Sequence, residues 1–208
     1  RIYTSFILFF LVFLIFKFNI ILVYSLLILG VFSILEFINI SRKIFKKKSL
    51  KYFINLIFIF YVFIFSTFLI YFFNFFQLKI LIFIILCGCI SSDIGGYIVG
   101  NILKGPKLTK ISPKKTISGA VGSLLFSNLS IFILFFYLTG VSNFYIILIA
   151  TITSISCQFG DLMFSFLKRK ARVKDTGNFF PGHGGVLDRL DGILLGVPIG
   201  IIVTILYI

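Results

Sequence analysis

Acidic residues in this 208-residue chain are concentrated in two polar stretches of an otherwise apolar sequence. The first stretch, residues 91–119, contains Asp93. The second, residues 158–191, contains four more of the six acids and the single histidine, His183. An ionisable side chain at membrane depth costs several kcal/mol unless it is paired or functional. These two stretches are therefore the candidate functional site.

Three aspartates of the second stretch form a candidate metal site. Asp161 lies about 10 Å before the basic end of a predicted helix, at 1.5 Å per residue, and Asp188 and Asp191 open the last predicted helix from the same side. Their spacing of three places Asp188 and Asp191 on one helical face, so all three acids are expected to meet. Oxygen donors without a His or Cys cluster suit Mg²⁺ rather than zinc. The alternative is that Asp188 caps the last helix and Asp191 pairs with Arg189 or Lys174.

Cations and hydroxyl groups in the first stretch are candidates for binding phosphate. They are Ser112, Lys114, Lys115 and Thr116. Lysines supply positive charge and hydroxyls donate hydrogen bonds to phosphate oxygens, although a lysine pair is also typical of a cytosolic membrane loop. Asp93 either pairs with a neighbouring lysine or holds a polar cavity open for a charged ligand, and the downstream lysines favour the cavity. His183 either positions a phosphate or is a turn residue without a chemical role.

The composition predicts an all-α, polytopic membrane protein. Hydrophobic residues make up 60% of the chain, charged residues 12%, and the mean hydropathy is +1.16, which is too apolar for a soluble core. Apolar runs that can cross about 30 Å of hydrocarbon predict about seven helices. They lie at residues 2–16, 19–40, 52–73, 79–103, 117–138, 143–166 and 192–208. The first two could instead form one hairpin that dips into the bilayer, and a signal peptide is not expected because no small-residue cleavage site follows residue 16.

Basic residues are distributed with a strong bias between the loops. Of the 20 lysines and arginines, 18 lie at residue 1 or in the segments 42–51, 104–115 and 168–189, which follow the second, fourth and sixth predicted helices. By the positive-inside rule this face is cytosolic, as is the N-terminus, and both polar stretches open to the cytosol. Anionic lipid headgroups account for the basic loop 41–51. Nucleic-acid binding is not expected, because the cations are confined to membrane loops.

The two stretches carry residues that resemble the phosphatidate cytidylyltransferases, the CDP-diacylglycerol synthases. The signature-like run is Ser165, Lys168, Arg169, Lys174, Asp175, Gly177, Phe180, Pro181, His183, Gly184, Gly185, Asp188, Arg189 and Asp191. The upstream region is similar through Ser92, Asp93, Gly95, Tyr97, Gly100, Ser112, Pro113, Lys114, Lys115, Thr116, Gly119 and Gly122. Many members have Trp and Glu in place of Ile117 and Ser118, and Gly in place of Ser123, which weakens any role for position 118. Members also tend to be longer before the position of Arg1, so an earlier start of the gene product is expected.

The resemblance implies a magnesium-dependent enzyme of the inner, cytoplasmic membrane that joins CTP to phosphatidic acid and releases pyrophosphate. The resemblance covers roughly residues 87–200, and the first 80 residues match only as hydrophobic spans. We expect N-terminal transmembrane helices at residues 1–75 and a catalytic transmembrane domain, which carries both polar stretches, at residues 76–208. The residues implied in catalysis are Asp161, Lys168, Arg169, Lys174, Asp175, Asp188, Arg189 and Asp191, with Mg²⁺ held by Asp161, Asp188 and Asp191. Those implied in substrate binding are Asp93, Ser112, Lys114, Lys115, Thr116, Ser165, His183, Gly184 and Gly185. A second ion and a homodimer are left open.

Two other functions remain open. A CTP-dependent lipid kinase of the polyprenol or phytol type would transfer the γ-phosphate and release CDP instead of pyrophosphate. An ion-coupled transporter would need acids spread through the depth of the bilayer, whereas the acids here crowd one side. Glu36 is left unassigned, and Cys87, Cys89 and Cys157 are expected to be packing residues.

Overall fold

The computed structural model describes residues 10, 14–109, 111–113, 115–177, 179 and 184–207. Its helices are α1 (Asn19–Ile44), α2 (Lys48–Phe72), α3 (Phe76–Leu103), α4 (Ile117–Thr139), α5 (Tyr145–Lys170), α6 (Leu187–Leu190) and α7 (Ile193–Tyr207). Within these residues no strand is formed, and an isolated β-bridge pairs Lys107 with Thr116. The predicted all-α class is confirmed.

Among the described residues, six helical segments are long and apolar enough to cross a membrane. They are α1 to α5 and the segment Leu187–Tyr207, which joins α6 and α7. These correspond to the six predicted spans after the first, and the chain is a polytopic membrane protein. The predicted span at residues 2–16 lies almost entirely outside the described residues.

Two compact units make up the chain. The first unit comprises residues 1–79 and 167–190, and the second comprises residues 80–166 and 191–208. Segment 167–190, which carries much of the second polar stretch, thus belongs with the N-terminal helices. The domain division at residue 75 follows the order of the chain instead, and it stays a prediction.

The first unit is built on a helical hairpin of α1 and α2. Because the connection between Ile44 and Lys48 is short, the two helices run antiparallel and pack along their length. The rings of Phe37 and Phe58 stack with their centroids 3.9 Å apart. Next to them, the hydroxyl of Ser41 donates a 2.6 Å hydrogen bond to Oδ1 of Asn55, so the polar groups of this apolar interface satisfy each other.

The second unit depends on a close crossing of α3 and α4. A Cβ added at Gly95 would lie 2.6 Å from the carbonyl oxygen of Gly122, and one added at Gly122 would lie 2.8 Å from that of Gly95. Membrane helices lack a hydrophobic driving force between them and approach closely where the facing residues are small. The glycines of the first polar stretch therefore serve helix packing as well as any ligand.

Helices α5 and α7 complete the core of the second unit. A buried cluster joins α3, α4 and α5 through Ile84, Ile131, Phe135, Ile146 and Ala150. The hydroxyls of Ser92 and Ser154 lie 2.9 Å apart between α3 and α5. On α7, a Cβ added at Gly196 would lie 2.7 Å from Sγ of Cys89 and 3.2 Å from Cβ of Cys157. These two cysteines are buried packing residues, as expected.

Candidate functional site

A cavity of about 310 Å³ lies inside the second unit and is lined by residues of α3, α4, α5 and loop 104–116. Five residues predicted as site residues line it together: Asp93, Ser112, Lys115, Thr116 and Asp161. They come from both polar stretches, which are far apart in the sequence. The structure therefore brings Asp161, near the start of the second stretch, to the same cavity as residues of the first stretch. The chemical roles of these residues stay predictions.

A lysine and an aspartate meet at this cavity. Nζ of Lys115 lies 2.8 Å from Oδ2 of Asp161, and the two side chains are 31% and 22% exposed. Since both charges keep solvent access, a phosphate can compete for the lysine and a cation for the carboxylate. The pair can therefore open to bind an anionic ligand together with its counter-ion.

Backbone hydrogen bonds fix the loop that carries Lys115. The carbonyl of Lys115 accepts a 2.8 Å hydrogen bond from the N–H of Leu108, and Ile117 donates its N–H to Pro106 at 2.9 Å. The hydroxyl of Thr116 accepts a 3.1 Å hydrogen bond from the N–H of Gly119 and so caps α4. These bonds join the two ends of loop 104–116. Lys115 lies directly before Thr116, the N-cap residue of α4.

Ser118 has a structural partner. Its hydroxyl accepts a 3.2 Å hydrogen bond from the N–H of Gly105. A Cβ added at Gly105 would lie 2.8 Å from the same oxygen. The residue that departs from the family pattern therefore joins the two ends of loop 104–116.

Three polar residues of the cavity were not singled out as site residues from the sequence: Tyr97, Ser123 and Gln158. Helical spacing offers a signal for two of them, because Tyr97 is four residues after Asp93 and Gln158 is three before Asp161. Nε2 of Gln158 donates to the carbonyl of Ala120 at 3.3 Å. This bond fixes the Gln158 side chain against α4 beside the cavity.

A second lysine–aspartate pair lies in the first unit. Nζ of Lys168 lies 2.7 Å from Oδ1 of Asp188, and these side chains are only 13% and 8% exposed. The other oxygen, Oδ2, accepts hydrogen bonds from the N–H groups of Thr176 at 2.8 Å and Gly185 at 3.0 Å. Asp188 is thus enclosed by donors from Lys168, Thr176 and Gly185, which all precede the last helix, so these contacts are not the helix cap considered from the sequence.

Gly184 requires the absence of a side chain. Its φ of +83° is in the left-handed region that favours glycine. A Cβ at this position would also lie 2.9 Å from Oδ2 of Asp188. The predicted contacts of Gly184 and Gly185 with substrate stay predictions. Gly184 has a structural reason for its identity in Asp188, and Gly185 has one in Thr176 and Glu36, which an added Cβ would meet.

The remaining predicted site residues lie in less enclosed positions. Exposed are Arg169, Lys174, Asp175 and Arg189, whereas Ser165 and Asp191 are partly buried. Lys114 and His183 lie outside the described residues. Arg169 donates to the carbonyl of Val173 at 3.5 Å, and Oδ1 of Asp191 accepts from the N–H of Gly192 at 3.1 Å. These contacts leave the predicted roles untested.

Carboxylates at the cavity offer a place for a metal ion. Among the described residues, no three or more His, Cys, Asp or Glu side chains are grouped to hold one. However, Asp93 and Asp161 both line the cavity, and Mg²⁺ at phosphate sites is usually held by one or two carboxylates and the substrate phosphates. The carboxylates of Asp93 and Asp161 therefore fit a metal ion that is bound together with the phosphates of a ligand. The assignment of Mg²⁺ to Asp161, Asp188 and Asp191 stays a prediction.

The fold and the cavity define a polytopic membrane protein with a charged pocket among its helices, and sequence comparison gives its family. The chain matches the family model of the Cytidylyltransferase family over residues 1–207. It is 41% identical over 136 residues to a phosphatidate cytidylyltransferase of Rickettsia bellii, which covers 62% of this chain and 59% of that protein. Phosphatidate cytidylyltransferases of Helicobacter pylori and Mycobacterium leprae are 42% and 37% identical over 108 and 114 residues, covering 51% and 54% of this chain and 40% and 36% of those proteins.

The chain therefore belongs to the cytidylyltransferase family, and the resemblance noted in the sequence is confirmed. The matched region spans less than two thirds of the length of these relatives.

Proposed function

We propose that the protein transfers the cytidylyl group of CTP to phosphatidic acid, which gives CDP-diacylglycerol and pyrophosphate. The observation that carries this proposal is the cavity of the second unit, where Asp93, Lys115 and Asp161 meet beside hydroxyl groups. A mixture of one cation with two acids suits a polyanion bound with a divalent ion. The names of the relatives supply the reaction.

The nucleophile in this reaction needs no general base. A phosphomonoester has a second pKa of about 6, so a phosphatidate oxygen is already anionic at neutral pH. This oxygen attacks the α-phosphorus of CTP in line. The bond from the α-phosphorus to the bridging oxygen breaks, and that oxygen leaves with the electron pair as part of pyrophosphate.

Charge neutralisation is the main task left to the protein, because both substrates are polyanions. Lys115 would bind a phosphate group in the cavity, with Ser112 and Thr116 as hydrogen-bonding neighbours. Mg²⁺, when bound, would neutralise charge on the triphosphate and on the departing pyrophosphate. Asp161 and Asp93 would hold it from the cavity, and Asp188 and Asp191 are the further ligands predicted from the sequence.

The reaction is proposed to take place at the cytosolic face of the inner membrane. Helices α1 and α5 each end in basic residues, and α3 leads into the lysine-rich loop 104–116. The positive-inside rule puts these ends in the cytosol. At this interface a lipid keeps its acyl chains in the bilayer while its phosphate meets a soluble nucleotide.

The test is turnover by the purified protein in detergent with phosphatidate, Mg²⁺ and each of four nucleoside triphosphates. Pyrophosphate release with CTP, and a lipid product that carries the cytidine, is the expected result. Label from γ-labelled CTP that appears in the lipid, with release of CDP, would instead identify a lipid kinase. No turnover of any nucleotide would contradict the proposal.

A further inference from the structure

Glu36 of α1 is a buried acid that the proposed reaction does not use. Glu36 is only 7% exposed. It lies in α1, which is apolar enough to cross a membrane. A carboxyl group in such a place is costly unless several donors satisfy it. The donors that satisfy Glu36 are therefore informative about its role.

Three hydrogen bonds reach Glu36 from the first unit's part of the second polar stretch. Oε1 accepts from the N–H of Val186 at 3.0 Å, and Oε2 accepts from the N–H of Leu187 at 2.9 Å and from the hydroxyl of Thr176. Both carboxyl oxygens of Glu36 thus act as acceptors. A carboxamide could not satisfy all three donors.

One of these residues, Thr176, is also bound to Asp188. Thr176 donates its hydroxyl to Glu36 and its N–H to Asp188, and Gly185 donates its N–H to Asp188 directly before the two residues that bind Glu36. A Cβ added at Gly185 would collide with the carboxyl group of Glu36. Glu36 and Asp188 thus share Thr176 as a donor, and between them they bind the backbone of the consecutive residues 185–187.

We propose that Glu36 is a positioning residue, which sets the placement of Asp188 and Lys168 by holding Thr176, Val186 and Leu187. This inference rests on the proposed function, because it assigns Glu36 an effect on cytidylyl transfer. Glu36 is not among the residues that line the cavity of the second unit. Its carboxylate fixes the backbone from which Asp188 receives two of its three hydrogen bonds.

The test compares the wild-type protein with Glu36→Gln, Thr176→Val and Thr176→Ser. Glu36→Gln should lower kcat by about 10²-fold, the loss that a displacement of about 1 Å can cause in an active site. Thr176→Val should also lower kcat, whereas Thr176→Ser keeps the hydroxyl and should restore wild-type turnover. Adding Thr176→Val to Glu36→Gln should lower kcat little further, because Thr176→Val removes the hydroxyl contact with Glu36 that Glu36→Gln already disturbs.

Ser33→Ala is the matched control, because Ser33 is buried one turn earlier on α1 and its hydroxyl has no hydrogen-bond partner among the described residues. This variant should keep wild-type kcat. Hydrogen exchange of the Val186 and Leu187 amides gives a second readout, which should rise in Glu36→Gln and stay unchanged in Ser33→Ala.

The possible outcomes separate this inference from the proposed function. Wild-type turnover together with unchanged kcat in Glu36→Gln would overturn the positioning role alone. Equal losses of kcat in Thr176→Ser and Thr176→Val would also overturn it, because the hydroxyl that Thr176→Ser retains would then not contribute to turnover. Absence of turnover in the wild-type protein would overturn the proposed function. In that case hydrogen exchange still tests the contact, because unchanged exchange of the Val186 and Leu187 amides in Glu36→Gln would show that Glu36 does not hold them.

Discussion

The two lysine–aspartate pairs have the same chemistry and different surroundings. Lys115 and Asp161 are 31% and 22% exposed at a cavity, whereas Lys168 and Asp188 are 13% and 8% exposed and share hydrogen bonds with backbone N–H groups. An ion pair with solvent access contributes only about 0–1 kcal/mol to stability. Loss of one partner from a buried pair costs about 3–5 kcal/mol, because the other charge is left uncompensated. The more exposed pair can therefore exchange ligands, whereas the enclosed pair is held in a fixed position by its hydrogen bonds to backbone.

The largest expected effect concerns activity at the exposed pair. Lys115→Ala and Asp161→Asn should each lower turnover by about 10²- to 10³-fold, as expected when a preorganised group facing transferred charge is removed. The thermal midpoint should change little, because the pair contributes little to stability. Pyrophosphate release and thermal unfolding in the same detergent measure both effects. If Lys115→Ala or Asp161→Asn lowered the thermal midpoint and kept wild-type turnover, this pair would be structural, which contradicts the role proposed for it.

The second prediction concerns stability at the enclosed pair. Lys168→Met keeps the length of the side chain and leaves the Asp188 charge without its cation, which should cost about 3–5 kcal/mol. Thermal unfolding should show a clearly lower midpoint than in the wild-type protein. Lys43→Met is the control, because Lys43 is an exposed lysine at the end of α1. An equal fall of the thermal midpoint in both variants would mean that the ion pair between Lys168 and Asp188 does not add to stability.

The helices of both units could largely be predicted from hydrophobic runs, but the ends of α1 and α5 could not. The runs predicted ends at residues 40 and 166, whereas the helices continue to Ile44 and Lys170. Their last turns contain the basic residues that were assigned to loops. Cations near a helix C-terminus are stabilised by the helix dipole, so a polar residue there does not end the helix.

The residue types of the site and part of their grouping could be predicted. The sequence placed Asp93 in a polar cavity with the downstream Lys115, and both residues line one cavity. The sequence joined Asp161 to Asp188 and Asp191, a grouping that stays a prediction, and it did not join Asp161 to this cavity. The place of Asp161 in the cavity depends on the packing of α5 beside α3 and α4. Glu36 bonds to Val186 across 150 positions of the sequence. Contacts at this separation are set by tertiary packing, and no local pattern specifies them.

A third prediction tests the close crossing of helices that shapes the cavity. Gly95→Ala would place a Cβ 2.6 Å from the carbonyl oxygen of Gly122, and such overpacking costs about 1–3 kcal/mol. The control is Gly30→Ala, where the nearest atom to an added Cβ is 3.4 Å away on Val62. That variant should be neutral or slightly stabilising, since alanine favours helix. Equal midpoints in thermal unfolding would contradict the crossing.

The smallest expected effect separates two roles of Thr116, which caps α4 and also lines the cavity. Thr116→Ala should cost about 1 kcal/mol, because the N–H of Gly119 loses its acceptor. Thr116→Asp keeps a good cap and should keep the thermal midpoint, yet it adds a negative charge next to Lys115. The KM for CTP should therefore rise in Thr116→Asp, while Thr116→Ser should resemble the wild-type protein in both measurements. If Thr116→Asp kept its KM, the cavity would not hold the triphosphate, and the exposed pair would lose the function proposed for it.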